Sequence, residues 1–77
     1  MSDINYLPGQ TVRLLAQPQY FKTADPMPML RPPDVVAVRE QGILMERRPG
    51  NYWAVKFTRG IFLVDQSNLD LVQPDAE

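Results

Sequence analysis

The stretch from Pro18 to Pro33 limits what this chain can fold into, because it contains five of the eight prolines. Each proline fixes its own φ near about −65° and removes a backbone donor, and it pushes the preceding residue towards extended geometry. A helix or a central strand cannot run through such a segment, so we predict a stiff, extended loop over residues 17–34. Loops of this length without secondary structure are uncommon in compact domains and are usually either functional or disordered.

The same stretch is too apolar for a solvated linker. Its large apolar residues are Tyr20, Phe21, Met27, Met29 and Leu30. We therefore expect the loop to lie against the body of the fold and to present part of itself to a partner.

Length and composition indicate one small domain. With 77 residues, 44% of them hydrophobic, the chain can build one core and a shallow groove, but not a deep pocket. We expect a single domain over residues 1–77 with flexible tails at 1–7 and 73–77. The apolar runs are too short to span a bilayer and the first residues do not resemble a signal peptide, so we expect a cytoplasmic monomer without membrane insertion.

Short β-branched and alternating segments, separated by turn residues, predict an all-β fold. Strand-like segments lie at about 11–16, 35–40, 43–48, 52–57, 61–64 and 69–72. Residues 65–68 include Asp, Ser and Asn, which favour caps and turns, so we predict one 3₁₀ turn there. A long loop after the first strand and a 3₁₀ turn before the last predict a small SH3-like barrel of about five short antiparallel strands.

The segment 52–57 alternates most clearly. Trp53, Val55 and Phe57 share one face and are predicted to be in the core, which leaves Tyr52 exposed on the other. An exposed aromatic residue of this kind suits an interface.

Side chains that common catalytic sites require are missing. The chain has no cysteine and no histidine, so disulfides, thiolate zinc sites, Cys–His pairs and histidine-dependent triads are excluded. Its four glycines are scattered rather than grouped in a phosphate-binding loop. We expect no enzyme activity, no cofactor and no metal site.

Charge is unevenly distributed, although the formal net charge is only −1. Residues 39–59 contain five basic and two acidic residues. The acidic total argues against nucleic acid as the partner. Arg47 and Arg48 fit either a solvated hairpin end or a contact with an acidic patch on a protein, because arginine forks onto carboxylates. Met27, Met29 and Leu30 fit either a plug of the barrel or an adaptable contact surface.

Two stretches of this sequence resemble the cyanobacterial SipA family. They are Lys22-Thr-Ala-Asp-Pro-Met-Pro-Met-Leu-Arg-Pro32 and Arg47-Arg-Pro-Gly-Asn-Tyr-Trp-Ala-Val-Lys-Phe57, within a resemblance that covers about residues 9–72. Members of that family are small SH3-like proteins that bind the ATP-binding region of the sensor histidine kinase NblS, and plant chloroplast relatives have a role in chlororespiratory reduction. The resemblance implies a non-catalytic regulator that modulates the autophosphorylation of an NblS-type kinase in stress, light and nutrient signalling.

An alternative function is that of an SH3-like docking or assembly subunit of a photosynthetic redox complex. For either function we predict a protein-binding site made of the exposed members of the two stretches. These residues are Lys22, Met27, Met29, Leu30, Arg31, Arg47, Arg48 and Tyr52.

Overall fold

The computed structural model describes residues 6–25, 27 and 29–72. These residues form seven strands and two short 3₁₀ helices. The strands are β1 (Thr11–Leu14), β2 (Phe21–Thr23), β3 (Leu30–Arg31), β4 (Gln41–Arg48), β5 (Tyr52–Phe57), β6 (Gly60–Asp65) and β7 (Leu69–Leu71). The first 3₁₀ helix is Pro33–Val35 and the second is Gln66–Asn68. Among these elements no helix is long and apolar enough to cross a membrane.

All strand pairs are antiparallel, and the strands form one sheet in the order β3-β2-β6-β5-β4-β1-β7. Leu14 of β1 and Phe21 of β2 lie far apart in this order, yet both are buried in the same hydrophobic cluster. The sheet must therefore curve around a single core. The predicted all-β, SH3-like fold is confirmed, and within the described residues the sheet forms an open barrel whose edges are β3 and β7.

The predicted strand at 35–40 is wrong. Pro33–Val35 forms the first 3₁₀ helix, in which the Val35 N–H donates to the Pro32 carbonyl at 3.1 Å. A turn follows, in which Arg39 has φ 74° and the Glu40 N–H donates to the Ala37 carbonyl at 3.0 Å. Proline is pre-organised for the first turn of a helix, and this local preference outweighs the β-branched run that follows.

The proline-rich stretch contains a hairpin that the sequence did not predict. β2 and β3 pair Phe21 with Arg31 and Lys22 with Leu30, and β2 also pairs with β6. Beyond the strands, the Thr23 N–H donates to the Met29 carbonyl at 2.9 Å and the Met29 N–H donates to Thr23 Oγ1 at 2.8 Å. The prediction of a loop without strands is therefore wrong, because the backbone donors of residues 21–23 and 29–31 remain intact between the prolines. The expected packing of this stretch against the body is confirmed.

β5 has the predicted bounds and the predicted faces. Trp53, Val55 and Phe57 are buried, whereas Tyr52 is exposed. Trp53 Nε1–H donates to Gln66 Oε1 at 2.9 Å, which satisfies the indole in the core and attaches the second 3₁₀ helix to it. That helix was predicted, and its N-cap is the Asp65 carboxylate, which accepts from the Ser67 N–H.

The predicted tails lie mostly outside the described residues. Of residues 1–7, the structure describes Tyr6 and Leu7, and Tyr6 is buried in the core. Its hydroxyl donates to the Leu69 carbonyl at 3.3 Å. Burial, with a smaller effect from the nearby Asp70 carboxylate, raises the pKa of Tyr6 above its ordinary value of 10.0.

Replacement of Gly42 by alanine is expected to destabilise the fold. A Cβ built on Gly42 would lie 2.8 Å from side-chain atoms of both Phe57 and Val55. Such overpacking typically costs about 1–3 kcal/mol, which outweighs the small gain that alanine gives in an unstrained strand position. Urea denaturation measures the effect, and Gln41→Ala at the adjacent exposed position serves as a control within ~0.5 kcal/mol of wild type. Equal stability of the Gly42→Ala variant and wild type would contradict this packing.

The raised pKa of Tyr6 predicts a loss of stability at alkaline pH. The unfolded tyrosine ionises near its ordinary value of 10.0, whereas the folded one keeps its proton to higher pH. Stability from this group is therefore complete below pH 10 and decreases as the pH rises from there through the folded pKa. Denaturation midpoints measured on both sides of pH 10 should show this decrease in wild type and a smaller one in Tyr6→Phe. An identical pH dependence in the two proteins would refute the assignment.

Candidate functional site

The ladder register determines which side chains share the outer face of the sheet, which is the face turned away from the core. Residues paired across an antiparallel ladder lie on the same side. One outer row crosses five strands and consists of Leu30, Lys22, Leu63, Ala54 and Glu46. The next row consists of Asp65, Tyr52 and Arg48. Two separate stretches of sequence thus meet on one surface.

A groove of about 550 Å³ lies on this outer face. Leu63 and Tyr52 line it from the sheet, residues 18–20 border it where the chain enters β2, and Pro49 borders it from the β4–β5 turn. Tyr20 and Tyr52 are 52% and 42% exposed, so both rings present open surface. Because the segment 18–20 is followed directly by the buried Phe21, its position against the sheet is fixed by the core.

Positive charge dominates the lining of the groove. Lys22 and Arg48 contribute two cations, and Asp65 contributes one carboxylate. The Asp65 carboxylate already accepts hydrogen bonds from the Ser67 N–H and hydroxyl, both at 3.0 Å. Among the described residues, no carboxylate lies within ion-pair distance of Lys22.

Arg48 is held at the rim by two partners. Its Nη2 donates to the Ala24 carbonyl at 3.4 Å, and its Nε lies 3.6 Å from the Glu46 carboxylate. That Nε is buried and has no hydrogen-bond acceptor within the described part of the chain. The guanidinium is thus positioned towards the groove without being fully satisfied by the protein, and its side chain remains 34% exposed.

Beside the groove, the β2–β3 hairpin carries a group of exposed, mostly apolar side chains. We call Met27, Met29, Leu30 and Arg31 the arm. Met27 is 84% exposed, and Met29 and Leu30 are each 61% exposed. The interpretation of these three side chains as a plug of the barrel is therefore wrong, and they form a surface available for contact.

Comparison with known proteins places this architecture in a family. The family model described as "Protein CHLORORESPIRATORY REDUCTION 42-like" matches residues 9–69. The chain belongs to this family. The matched range contains β1 to β6, the arm and the groove, so both surfaces lie within the part that the family shares. No curated protein and no solved structure matches the chain.

Membership of the chlororespiratory reduction 42-like family confirms that part of the predicted resemblance. The relation to SipA and its kinase stays a prediction. The structure brings three predicted site residues, Lys22, Arg48 and Tyr52, to the groove. Four others, Met27, Met29, Leu30 and Arg31, form the adjacent arm. Leu30 connects the two surfaces, because it is paired with Lys22 in the outer row.

Arg47 lies apart from the other predicted site residues. It is paired with Trp53, and its guanidinium carbon lies 5.0 Å from the centre of the indole ring. This geometry is a cation–π contact on the core side of β5. Arg47 therefore stacks on the rim of the core, whereas the adjacent Arg48 turns to the groove.

Sequence reasoning did not assign Pro18, Tyr20, Pro49 or Leu63 to the site, although all four line the groove. The sequence signal that could have identified this surface was Tyr20, an aromatic residue two positions after Pro18 in an extended segment. Leu63 could not be found in this way, because its exposure to the groove depends on the register of β6. In the described ranges no cluster of acidic residues is able to hold a metal ion.

Removal of the Arg47 guanidinium is expected to affect stability and the environment of Trp53. An exposed cation–π contact contributes about 0.5–1 kcal/mol, so Arg47→Ala should unfold at a lower urea concentration and shift the tryptophan emission. Arg59→Ala is the matched control, because Arg59 is an exposed arginine in the β5–β6 turn. If both variants behave as wild type does, the stacking does not stabilise the protein.

Proposed function

We propose that this protein is a non-catalytic regulator that binds the ATP-binding domain of an NblS-type sensor histidine kinase in the cytoplasm. The arm is the primary contact. The observation that carries the proposal is the exposure of three large apolar side chains, Met27, Met29 and Leu30, on one hairpin end. Contiguous exposed apolar side chains of this kind mark interaction sites in small proteins.

The arm is suited to binding because it is already ordered at its base. Phe21 is fully buried, and β2 is hydrogen-bonded to both β3 and β6. The Arg48 side chain adds a further connection through the Ala24 carbonyl. A pre-organised surface loses little conformational entropy when it binds, and flexible methionine side chains adapt to an irregular partner surface.

The choice of a histidine kinase as the partner is supported by the resemblance of two stretches, residues 22–32 and 47–57, to the SipA family. The first stretch contains the arm, and the second contributes Arg48, Pro49 and Tyr52 to the groove. A bound regulator changes autophosphorylation if it binds one conformation of the kinase domain more tightly than another. Such a mechanism requires no catalytic group from this chain.

A second candidate function is docking or assembly on a photosynthetic redox complex. It is favoured by the family description, which refers to chlororespiratory reduction. The same arm would be the contact surface. Native size fractionation separates the two functions, because a docking subunit comigrates stably with a large complex, whereas a transient regulator elutes mainly as a small protein.

Charge introduced on the arm is expected to weaken binding without unfolding the protein. Met29→Glu and Leu30→Glu place a carboxylate on side chains that are 61% exposed, so the fold should remain intact while the apolar contact is lost. Loss of an interface hot spot costs about 2 kcal/mol or more, which is at least a tenfold decrease in affinity. Calorimetric titration of the isolated ATP-binding domain of an NblS-type kinase measures this decrease.

Val38→Glu is the control for these arm variants. Val38 is an apolar residue of similar exposure, 48%, and it lies in the turn before β4 rather than on the arm. Its affinity for the kinase domain should equal that of wild type. If the arm variants bind as tightly as Val38→Glu does, the arm is not the contact surface. If wild type does not bind the kinase domain at all, the docking function replaces the regulator.

A further inference from the structure

We propose that the groove on the outer face binds an extended, proline-containing and acidic peptide segment of a protein partner in polyproline II conformation. The groove is adjacent to the arm but is built from different residues, and Tyr20 and Tyr52 are both in its lining. The inference names a ligand class for this groove and does not depend on the identity of the protein that the arm contacts.

The position of the groove on the sheet excludes binding by strand addition. Its strand residues come from β2, β4, β5 and β6, and each of these strands is already paired on both sides. No row of open backbone donors and acceptors is therefore offered at this surface, and a ligand must be held by side chains. A polyproline II helix is extended and keeps its conformation without pairing to a neighbouring strand, so it is the ligand conformation that suits this surface.

The apolar lining has the composition that polyproline II ligands require. Pro18, Tyr20, Pro49 and Tyr52 supply two rings of proline and two of tyrosine around one groove. Flat, rigid rings contact the apolar faces of ligand prolines, and aromatic-lined grooves recognise such segments in several small domains. A polyproline II backbone has no internal hydrogen bonds, so its carbonyl groups are free to accept from the tyrosine hydroxyls.

The charges that line the groove determine the second property of the ligand, which is its acidic character. Lys22 and Arg48 line the groove, and the Asp65 carboxylate is engaged by Ser67. Lys22 has no carboxylate partner in the described residues, and Arg48, whose side chain is 34% exposed, is connected to Glu46 only at 3.6 Å. A carboxylate on the ligand would pair with Lys22 and with the part-exposed Arg48 side chain, since both bind carboxylates with charge-assisted hydrogen bonds.

The proline-rich stretch of a second copy is a weaker candidate for the occupant. That stretch, residues 18–33, contains two basic residues, Lys22 and Arg31, and one acidic residue, Asp25, so its net charge is +1. It would therefore bring Arg31 towards Lys22 and Arg48, and like charges at close range oppose binding.

The test is a titration of ¹⁵N-labelled protein with the synthetic peptide acetyl-Pro-Pro-Glu-Leu-Pro-Pro-Glu-Pro amide, followed by NMR. Chemical shift changes are expected at residues 18–22, 48–52 and 63–68. One matched peptide carries lysine in place of each glutamate, and another carries serine in place of each proline. Both should bind at least about fivefold more weakly, because each removes a contact worth roughly 1 kcal/mol.

Three variants locate the binding to the groove. Tyr20→Ala and Tyr52→Ala should each weaken binding of the acidic proline peptide at least about fivefold, since each removes an aromatic contact of the order of 1 kcal/mol. Ile61→Ala should bind as wild type does, because Ile61 is an exposed apolar residue of β6 outside the groove lining. Unchanged spectra of the folded core confirm that the tyrosine variants retain the fold.

The inference is overturned if no shifts occur at millimolar peptide, if the lysine peptide binds equally well, or if the shifts fall on the arm alone. Concentration-dependent shifts at the groove without peptide would overturn it in favour of a second copy. Binding of the kinase domain together with failure of the peptide would remove this inference and leave the proposed function intact. Binding of the peptide together with failure of the kinase domain to bind would remove the proposed function and leave this inference intact.

Discussion

The burial of Phe21 against Phe62 is the contact on which both candidate binding surfaces depend. The ring centres lie 5.6 Å apart at an interplanar angle of 51°, and Phe62 also contacts Phe57. Tilted aromatic pairs of this kind contribute energy beyond their buried area. Since Phe21 begins β2, its burial fixes the chain on both sides: the segment 18–20 borders the groove before it, and the hairpin that ends in the arm follows it.

A β-bulge in β4 has a second, more local influence on the site. The register of the β4–β5 ladder shifts between Leu44 and Glu46, which leaves Met45 as an extra residue. A shift of one residue moves every following side chain to the other face of a sheet. Arg47 therefore lies beside Trp53 and Arg48 beside Tyr52. Without the bulge these two arginines would exchange faces, and Arg47 rather than Arg48 would lie on the outer face.

The sequence predicts the structure correctly where the local pattern and the tertiary environment favour the same conformation. The alternation of Trp53, Val55 and Phe57 gave both the bounds and the buried face of β5, and the cap-forming residues after it gave the second 3₁₀ helix. It does not predict elements whose formation depends on pairing between residues that are distant in the sequence. The hairpin within the proline-rich stretch exists because β2 has a partner in β6, where Leu63 pairs with Lys22 although it lies 41 residues further along the chain.

For the candidate site, too, the sequence predicts the roles of some residues and leaves those of others open. Exposure of Tyr52 followed from alternation alone, and the structure agrees. The roles of Arg47 and Arg48 could not be separated, because the bulge that separates them leaves no clear mark in the sequence. For Met27 and Leu30, amino-acid type is compatible with a core plug and with a contact surface. Only the position of the hairpin at the edge of the sheet decides between these two roles.

The arm lies at an edge of the sheet, where an exposed strand with apolar side chains would ordinarily promote aggregation. β3 is only two residues long, Leu30–Arg31, and Pro32 and Pro33 follow it directly. Proline lacks the N–H that a neighbouring strand would need, so the edge cannot be extended by further pairing in that direction. The same prolines that restrict the fold of this stretch thus allow the protein to display methionine and leucine to a partner while it resists polymerisation through its own sheet.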